Sequence, residues 1–495
     1  MTKYEMFLTR CTANKQKRII NSLIVIMILL FSINYSYAYS LSISSPSAIL
    51  IESKTGKILY QKNMDVQRPM ASTSKIMTYL LVMEAVENGS IRLDDKVKVS
   101  KNATSAGGTS YNLKENDVLS VNELLSSMMI ISANDSALVL AEYIGDTVEN
   151  FCIKMNDKAK SLGLMSAYFV NPNGMPLKNK DQNKISAKDL AMLTKYTLDR
   201  YGDSLLEITS QKQFNGTYKN FSKKNTNELL ETTSFIDGLK TGYTDLAGYC
   251  LVSTSKVKDS EKNRLIAVVL GGKSKKERSD DSKKIIDFGL NNFYTQEVLE
   301  KGEVLSYYQI TSDEYIPIEF LAKDTLSILS PKNTDIAKNK EVIFQNFDFN
   351  KDILNSGEIQ SILRLKDGTE TEISLIANRG ISVYIDDNPI IFDQAIPMVK
   401  DGSTLVPLRL IAEHLGVNIE WDQSNKAIIC EKDNIRFKLI VDSKIAIINN
   451  KFVTLDIAPQ VIQGNAMVPA RFIAEALGME IEWDSDIRAV KIYSV

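Results

Sequence analysis

Two stretches of this chain repeat each other in register. Val406-Pro407-Leu408-Arg409-Leu410-Ile411-Ala412-Glu413 recurs as Val468-Pro469-Ala470-Arg471-Phe472-Ile473-Ala474-Glu475, and Ile419-Glu420-Trp421-Asp422 recurs as Ile481-Glu482-Trp483-Asp484. The offset is constant, so residues 380–495 are one unit copied once. Each copy reads as strand, hairpin, short amphipathic helix, Leu-Gly stop and Trp-bearing strand, a duplicated α+β unit. That unit must stand apart from what precedes it. The 495 residues are in any case too many for one ordinary core, and a multidomain chain is expected.

The amino-terminal residues read as a targeting segment. Lys15, Lys17 and Arg18 form a positive region, Ile19 to Ile33 an apolar stretch, and Ser36-Tyr37-Ala38 a small-x-small cleavage site. Since the apolar stretch is shorter than the roughly twenty residues of a bilayer span, residues 1–38 are expected to be a signal peptide cut after Ala38, with an uncleaved anchor as the alternative. The mature protein is expected outside the cytoplasm, extracellular or associated with the cell envelope. Cleavage removes Cys11 and leaves Cys152, Cys250 and Cys430, too sparse for a disulfide framework; Cys250, in the apolar run from Tyr249 to Val252, reads as a buried free thiol. Lysine plus arginine total 59 against 61 aspartate plus glutamate, with no long run of one sign, so no nucleic-acid partner is expected.

The chain contains a single histidine, His414. A Ser-His-Asp hydrolase needs an imidazole to take the nucleophile's proton, and a catalytic zinc site usually needs two or three histidines. If the exported protein is a hydrolase, another base must activate its nucleophile, and a lysine serves when burial or a nearby cation lowers its pKa. Ser72-Thr73-Ser74-Lys75 offers such a pair. Pro69-Met70-Ala71 ends an extended segment and Ile76, Met77, Leu80, Leu81 and Met83 follow at helical spacing, so Ser72 starts a helix with Lys75 one turn on along the same face. The backbone N–H of Ser72 is then a free donor at a helix N-terminus, able to hold an oxyanion. The same four letters recur at Ser253-Thr254-Ser255-Lys256 within a strand-like run, where residues three apart face opposite ways and cannot meet.

Two further motifs follow. Ser132-Ala133-Asn134 lies between an apolar helix ending near Ile131 and another from about Ala137 to Ile144, and Lys240-Thr241-Gly242 lies in the strand pattern Asp237 to Tyr243. A second Lys-Thr-Gly, Lys54-Thr55-Gly56, sits between the apolar runs Ala48 to Ile51 and Ile58 to Tyr60 and reads as a hairpin turn.

Ser-x-x-Lys, Ser-x-Asn and Lys-Thr-Gly in this order resemble the signature of penicillin-binding proteins and class A β-lactamases. With Pro69 to Thr78, Ser132 to Ala137, Asn171-Pro172-Asn173-Gly174, Asp237 to Thr244 and Ala247 to Cys250, residues 45 to 290 resemble the low-molecular-weight D-alanyl-D-alanine carboxypeptidases. The resemblance implies an α/β penicillin-binding domain with a central antiparallel sheet over residues 39–290. It implies catalytic roles for Ser72 as nucleophile, Lys75 as base and Ser132 as proton relay to the leaving amine. It implies that Asn134 holds the substrate backbone, that Lys240 and Thr241 take the terminal carboxylate, that Gly242 leaves room for the peptide, and that the backbone N–H groups of Ser72 and Tyr243 form the oxyanion hole. Peptidoglycan stem peptides are the implied substrates and β-lactams the implied acylating mimics, with no cofactor or metal. Where the family usually carries histidine, this chain has Asn183, and Asn173 stands where histidine is also common.

A β-lactamase shares the acylation residues, but no Glu-x-x-Leu-Asn pattern lies between the second and third motifs to speed deacylation. A DD-endopeptidase uses the same residues, and a non-enzymatic envelope-binding protein leaves three ordered motifs unexplained. Residues 291–379, with short β-branched runs and a turn at Asp367-Gly368, resemble the small β-sandwich that follows this catalytic domain. Residues 380–495 resemble the copper amine oxidase N-terminal-like, or stalk, domain, expected to contact the cell wall. No metal follows, since His414 lacks ligand partners and its counterpart is Ala476; His414 is expected on a helix surface. Trp421 and Trp483 are expected to pack in the repeat core rather than to stack on sugars.

Overall fold

The computed structural model describes residues 41–257, 260–310, 316–332, 334–338, 340–344, 358–392, 395–462 and 464–495. The expected signal segment and its cleavage site lie outside them.

Strands β1 (Ser47–Glu52), β2 (Ile58–Lys62), β3 (Ile236–Thr244), β4 (Gly248–Val257) and β5 (Ser260–Gly272) form an antiparallel sheet in the order β2-β1-β5-β4-β3. Alternation along β1 assigns its two faces: Ile49 and Ile51 join one apolar core, Ala48 and Leu50 the other. Helix α5 (Lys275–Asn292) supplies Ile285 and Ile286 to the second core, and the helices between β2 and β3 fill the first. Of these, α1 (Lys75–Glu87) is apolar around most of its circumference, with ten of its thirteen residues buried, and is the central helix of the domain. Helices α2 (Val121–Ile130), α3 (Asn134–Gly145) and α4 (Ala187–Thr209) pack around it. Ser120, Ser186 and Ser274 cap α2, α4 and α5 by accepting from the backbone N–H three residues on.

Both decoy motifs are structural. Lys54-Thr55-Gly56 turns the β1-β2 hairpin, with Gly56 at φ +75°. On β4, Ser253 is buried while Lys256 is exposed. All three described cysteines, Cys152, Cys250 and Cys430, are buried free thiols.

After α5 a two-stranded and a five-stranded antiparallel sheet share one core, with Val298, Leu299 and Ile328 from the first meeting Phe320, Leu363 and Leu375 from the second. Lys57 of the β1-β2 turn forms an ion pair with Asp367 in the turn of this unit.

In the duplicated unit the copies are interlocked. Copy one runs through β6 (Ser382–Ile385), β7 (Ser403–Pro407), α6 (Leu408–His414), β8 (Asn418–Asp422) and β9 (Ala427–Lys432). Copy two runs through β10 (Ile445–Ile448), β11 (Asn465–Pro469), α7 (Ala470–Ala476), β12 (Glu480–Asp484) and β13 (Ala489–Tyr493). Equivalent strands β7 and β11 pair antiparallel with Val406 opposite Val468, the same residue of each copy, which places a local twofold axis between them. Strand β6 of the first copy joins β13 and β12 of the second, and β10 of the second joins the sheet that holds β8 and β9 of the first. Each copy thus completes the other's sheet.

Contrary to expectation, the two tryptophans are not core residues: Trp421 and Trp483 are 45% and 46% exposed. The cause is position along the sheet. Trp421 is in register with buried Ile428, and Trp483 with buried Val490, so both rings point toward the core side; but β8 and β12 are edge strands, and the rings overhang where the core ends. His414 is exposed on α6, its Nδ1 2.9 Å from the Leu410 carbonyl oxygen.

Candidate active site

A cleft of about 690 Å³ opens beside the outer strand of the catalytic sheet, lined among others by Ser72, Ser132, Asn134, Thr241, Gly242 and Tyr243. Ser72 lies in a 3-10 turn, Ala71–Ser74, that leads directly into α1 at Lys75. The serine therefore precedes the α-helix by one tight turn instead of opening it. Ala71 holds φ +48°, a left-handed conformation that costs a non-glycine residue about 1–2 kcal/mol and aims the next residue outward.

The Lys75 Nζ lies 2.9 Å from Ser72 Oγ and donates to Asn134 Oδ1 at 2.7 Å and to the Asn173 carbonyl at 2.8 Å, which uses the two N–H bonds of a neutral amine and leaves its lone pair for the serine. Burial in the core end of α1 drives its pKa well below the ordinary lysine range, and the charge of Lys240 pushes it the same way, against a weaker opposing pull from Asp135. The neutral amine is the form that can accept a proton. Asn134 is itself held, its Nδ2 donating to the Gly107 carbonyl at 2.6 Å and its N–H to the Thr109 carbonyl at 2.7 Å. Ser132 bends the chain between α2 and α3 at φ +65°, also a strained value, and lines the cleft.

Strand β3 passes directly behind the serine turn. A Cβ on Gly242 would come within 3.0 Å of the Met70 carbonyl oxygen and 3.1 Å of the Ser72 nitrogen, so any larger residue would push the strand and the serine turn apart by a few tenths of an ångström. Tyr243, next along, is half-exposed at the cleft rim and stacks on Tyr249 with centroids 4.3 Å apart. Lys240 lies beneath the cleft floor, 1% exposed, its Nζ donating to the Thr241 carbonyl at 3.1 Å. Burial and the neighbouring Arg278 push its pKa down to about 7.

The roles of three groups escaped the sequence reading. The carbonyl of Asn173 accepts from both Lys75 and Ser72, the latter at 3.3 Å. Its loop is built by Asn171, whose Oδ1 accepts from the Gly174 N–H at 2.6 Å, and by Pro172, whose carbonyl accepts from Thr78 of α1 at 2.7 Å. The motif Asn-Pro-Asn-Gly was visible, but a backbone acceptor carries no side-chain signal. Arg278, on α5, lines the cleft beside Thr241 and is nearly buried; it comes from outside every motif. Asn183, where a histidine was the usual residue, is fully buried and donates to Ser74 Oγ at 2.9 Å and to the Asn171 carbonyl at 2.8 Å, bracing the loop to the serine turn.

A buried lysine bonded to a serine at a helix entrance, with an Asn-bearing turn on one side and a Lys-Thr-Gly strand on the other, defines a serine hydrolase of the penicillin-binding class. Comparison with known proteins is specific. The family model for D-alanyl-D-alanine carboxypeptidase matches residues 34–274, and that for the copper amine oxidase N-terminal domain matches residues 384–492. The D-alanyl-D-alanine carboxypeptidase DacF of Bacillus subtilis is 34% identical over 331 residues, covering 65% of this chain and 82% of the relative. The carboxypeptidase DacD of Escherichia coli is 31% identical over 294 residues, covering 58% of this chain and 73% of the relative. Penicillin binding protein 5 of Haemophilus influenzae superposes with a TM-score of 0.57 at 28% identity, covering 69% of this chain and 98% of that structure. The chain belongs to the D-alanyl-D-alanine carboxypeptidase family, serine hydrolases that act on peptidoglycan in the cell envelope.

Among the described residues no group of three or more His, Cys, Asp or Glu side chains is placed to hold an ion. Nor is any described helix long and apolar enough to cross a membrane.

Proposed function

We propose that the protein removes the terminal D-alanine from peptidoglycan stem peptides through a Ser72 acyl-enzyme. Lys75 Nζ accepts the Ser72 hydroxyl proton as Oγ adds to the carbonyl between the two D-alanines. The backbone N–H groups of Ser72 and Tyr243 take the charge that develops on the carbonyl oxygen. The C–N bond then breaks, the departing amine receives the proton through Ser132, and water hydrolyses the ester. Asn134 has two duties, orienting Lys75 and meeting the substrate backbone.

The terminal carboxylate is held by Thr241 and Arg278 at the cleft wall. Lys240, below the floor, adds charge from behind and keeps Lys75 neutral. A β-lactam presents the same carbonyl in a strained amide and acylates Ser72 in the substrate's place.

The observation that carries this reading is the 2.9 Å bond from a buried, charge-depressed lysine to the serine hydroxyl. The chain is exported with its segment cut after Ala38, residues 39–290 act on the peptide, residues 291–379 serve as a spacer, and residues 380–495 hold the enzyme against the wall. The test is release of D-alanine from a peptide ending in D-Ala-D-Ala. Wild type releases it, Ser72→Ala does not, and release by that variant at the wild-type rate removes the mechanism.

A further inference from the structure

The strongest unassigned feature lies far from the serine, where the two repeats meet. Ser403, Thr404, Asp456, Arg471, Glu482 and Trp483 surround a cleft of about 490 Å³, within the roughly 300–1,000 Å³ typical of small-ligand sites. Trp483 contributes an overhanging ring that is 46% exposed, a large apolar plate left uncovered at an edge strand.

The polar side chains on the face of the plate are short hydroxyls, one guanidinium and one carboxylate, since Glu482 alternates to the opposite face beside Lys491. Arg471 and Asp456 approach only to 4.0 Å with both side chains 71% exposed, so neither is consumed by the other. A ring with an apolar C–H face and a rim of hydroxyls fits this combination: the face stacks on the indole while guanidinium and carboxylate take paired hydroxyls. With Asp456 set against Arg471 the face carries no net charge, which suits a neutral polymer and gives an anionic one no excess of positive charge to bind.

The twofold relation adds a second platform. Trp421, Glu420 and Arg409 occupy in the first copy the places of Trp483, Glu482 and Arg471, and all six are exposed. Two exposed indole plates on one interlocked unit suit a repeating ligand better than a single sugar.

We propose that residues 380–495 carry a pyranose-binding cleft on Trp483, with Trp421 as its symmetry-related second platform, and that the ligand is a neutral β-linked amino-sugar glycan strand. This rests on the reading of the region as the part that holds the enzyme to the wall, and gives that reading a site and a ligand.

The chain has only two tryptophans, both at these platforms, so indole emission reports on the proposed sites and nowhere else. The full mature chain, with Ser72 blocked by a β-lactam, is titrated with the β-1,4-linked N-acetylglucosamine hexamer. A saturable emission shift is expected in wild type and in Trp421→Phe, where Trp483 reports alone. Arg471→Ala, at a side chain that is 71% exposed, weakens binding about tenfold or more, and the monosaccharide binds more weakly than the hexamer. No shift with the hexamer, an unchanged affinity in Arg471→Ala, or a shift produced only by an anionic polymer overturns the proposal. Sedimentation of the same blocked chain with purified cell walls separates the two readings. Sedimentation without an emission response to the hexamer removes this site and leaves wall attachment standing; failure to sediment removes both.

Discussion

Gly174 is the position where one added methyl group should cost the most. At φ +83° an L-residue pays about 1–2 kcal/mol in backbone strain. The steric cost is larger. A Cβ there would lie 1.9 Å from the Ala71 carbonyl oxygen, 2.3 Å from its carbon and 2.9 Å from the Ser72 nitrogen. These are backbone atoms of the nucleophile turn, and no rotamer change relieves the overlap. Reaching ordinary contact requires the Asn173 loop and the serine turn to part by more than about 1 Å.

That displacement separates the Asn173 carbonyl from Lys75 and Ser72 and moves the oxyanion donor. A misplacement of about 1 Å at reacting groups costs roughly a hundredfold in rate. Gly174→Ala should therefore lower the rate of Ser72 acylation by a fluorescent penicillin about a hundredfold or more. Gly89→Ala is the control: Gly89 has φ +75° with nothing within 4 Å of the added atom. It should lose about 1–2 kcal/mol of stability in a denaturant melt and keep its acylation rate. If Gly174→Ala acylates within about threefold of wild type, close approach of the loop does not hold the serine.

The pH profile carries a second test. Lys75 must be neutral to accept a proton, and burial together with Lys240 lowers its pKa, so acylation should fall on the acid side as Lys75 protonates; Lys240→Met removes the repelling charge, raises the Lys75 pKa and moves that limb to higher pH. Lys240 itself titrates near 7 in the free enzyme, so KM for a D-Ala-D-Ala peptide should rise as pH increases through that value, and the rise should vanish in Lys240→Met. Thiol reagents give a third: burial raises Cys152 and Cys250 to about 11 and Cys430 to about 12, so the native mature chain should show no fast-reacting thiol near pH 8 and three after unfolding.

The sequence carried the site through side chains whose neighbours in the chain already placed them. The apolar run after Lys75 foretold a helix that buries its first residue, and the alternation around Ser253 and Lys256 foretold a strand that separates them. What stayed hidden was supplied from a distance or by the backbone. Arg278 reaches the cleft from a helix that begins after β5, and the Asn173 carbonyl acts through an atom every residue owns. The tryptophans show a different limit: register with Ile428 and Val490 points them toward the core, as the pattern implied, but a strand's own residues do not say whether it will lie at a sheet edge. The duplication was plain as a repeat. Its interlocking was not, because which copy's hairpin completes which sheet depends on chain crossing, and both pairings have the same local pattern.

Whether Lys75 takes the proton of Ser72 is read from the rate of covalent penicillin adduct formation, with the adduct located by mass spectrometry. An adduct is expected on the peptide carrying Ser72 in wild type, with Lys75→Ala acylating at least about a thousandfold more slowly and Lys240→Ala still reaching full labelling at high penicillin concentration. Wild-type acylation by Lys75→Ala, or an adduct on Ser132 or Ser253 instead of Ser72, would contradict it.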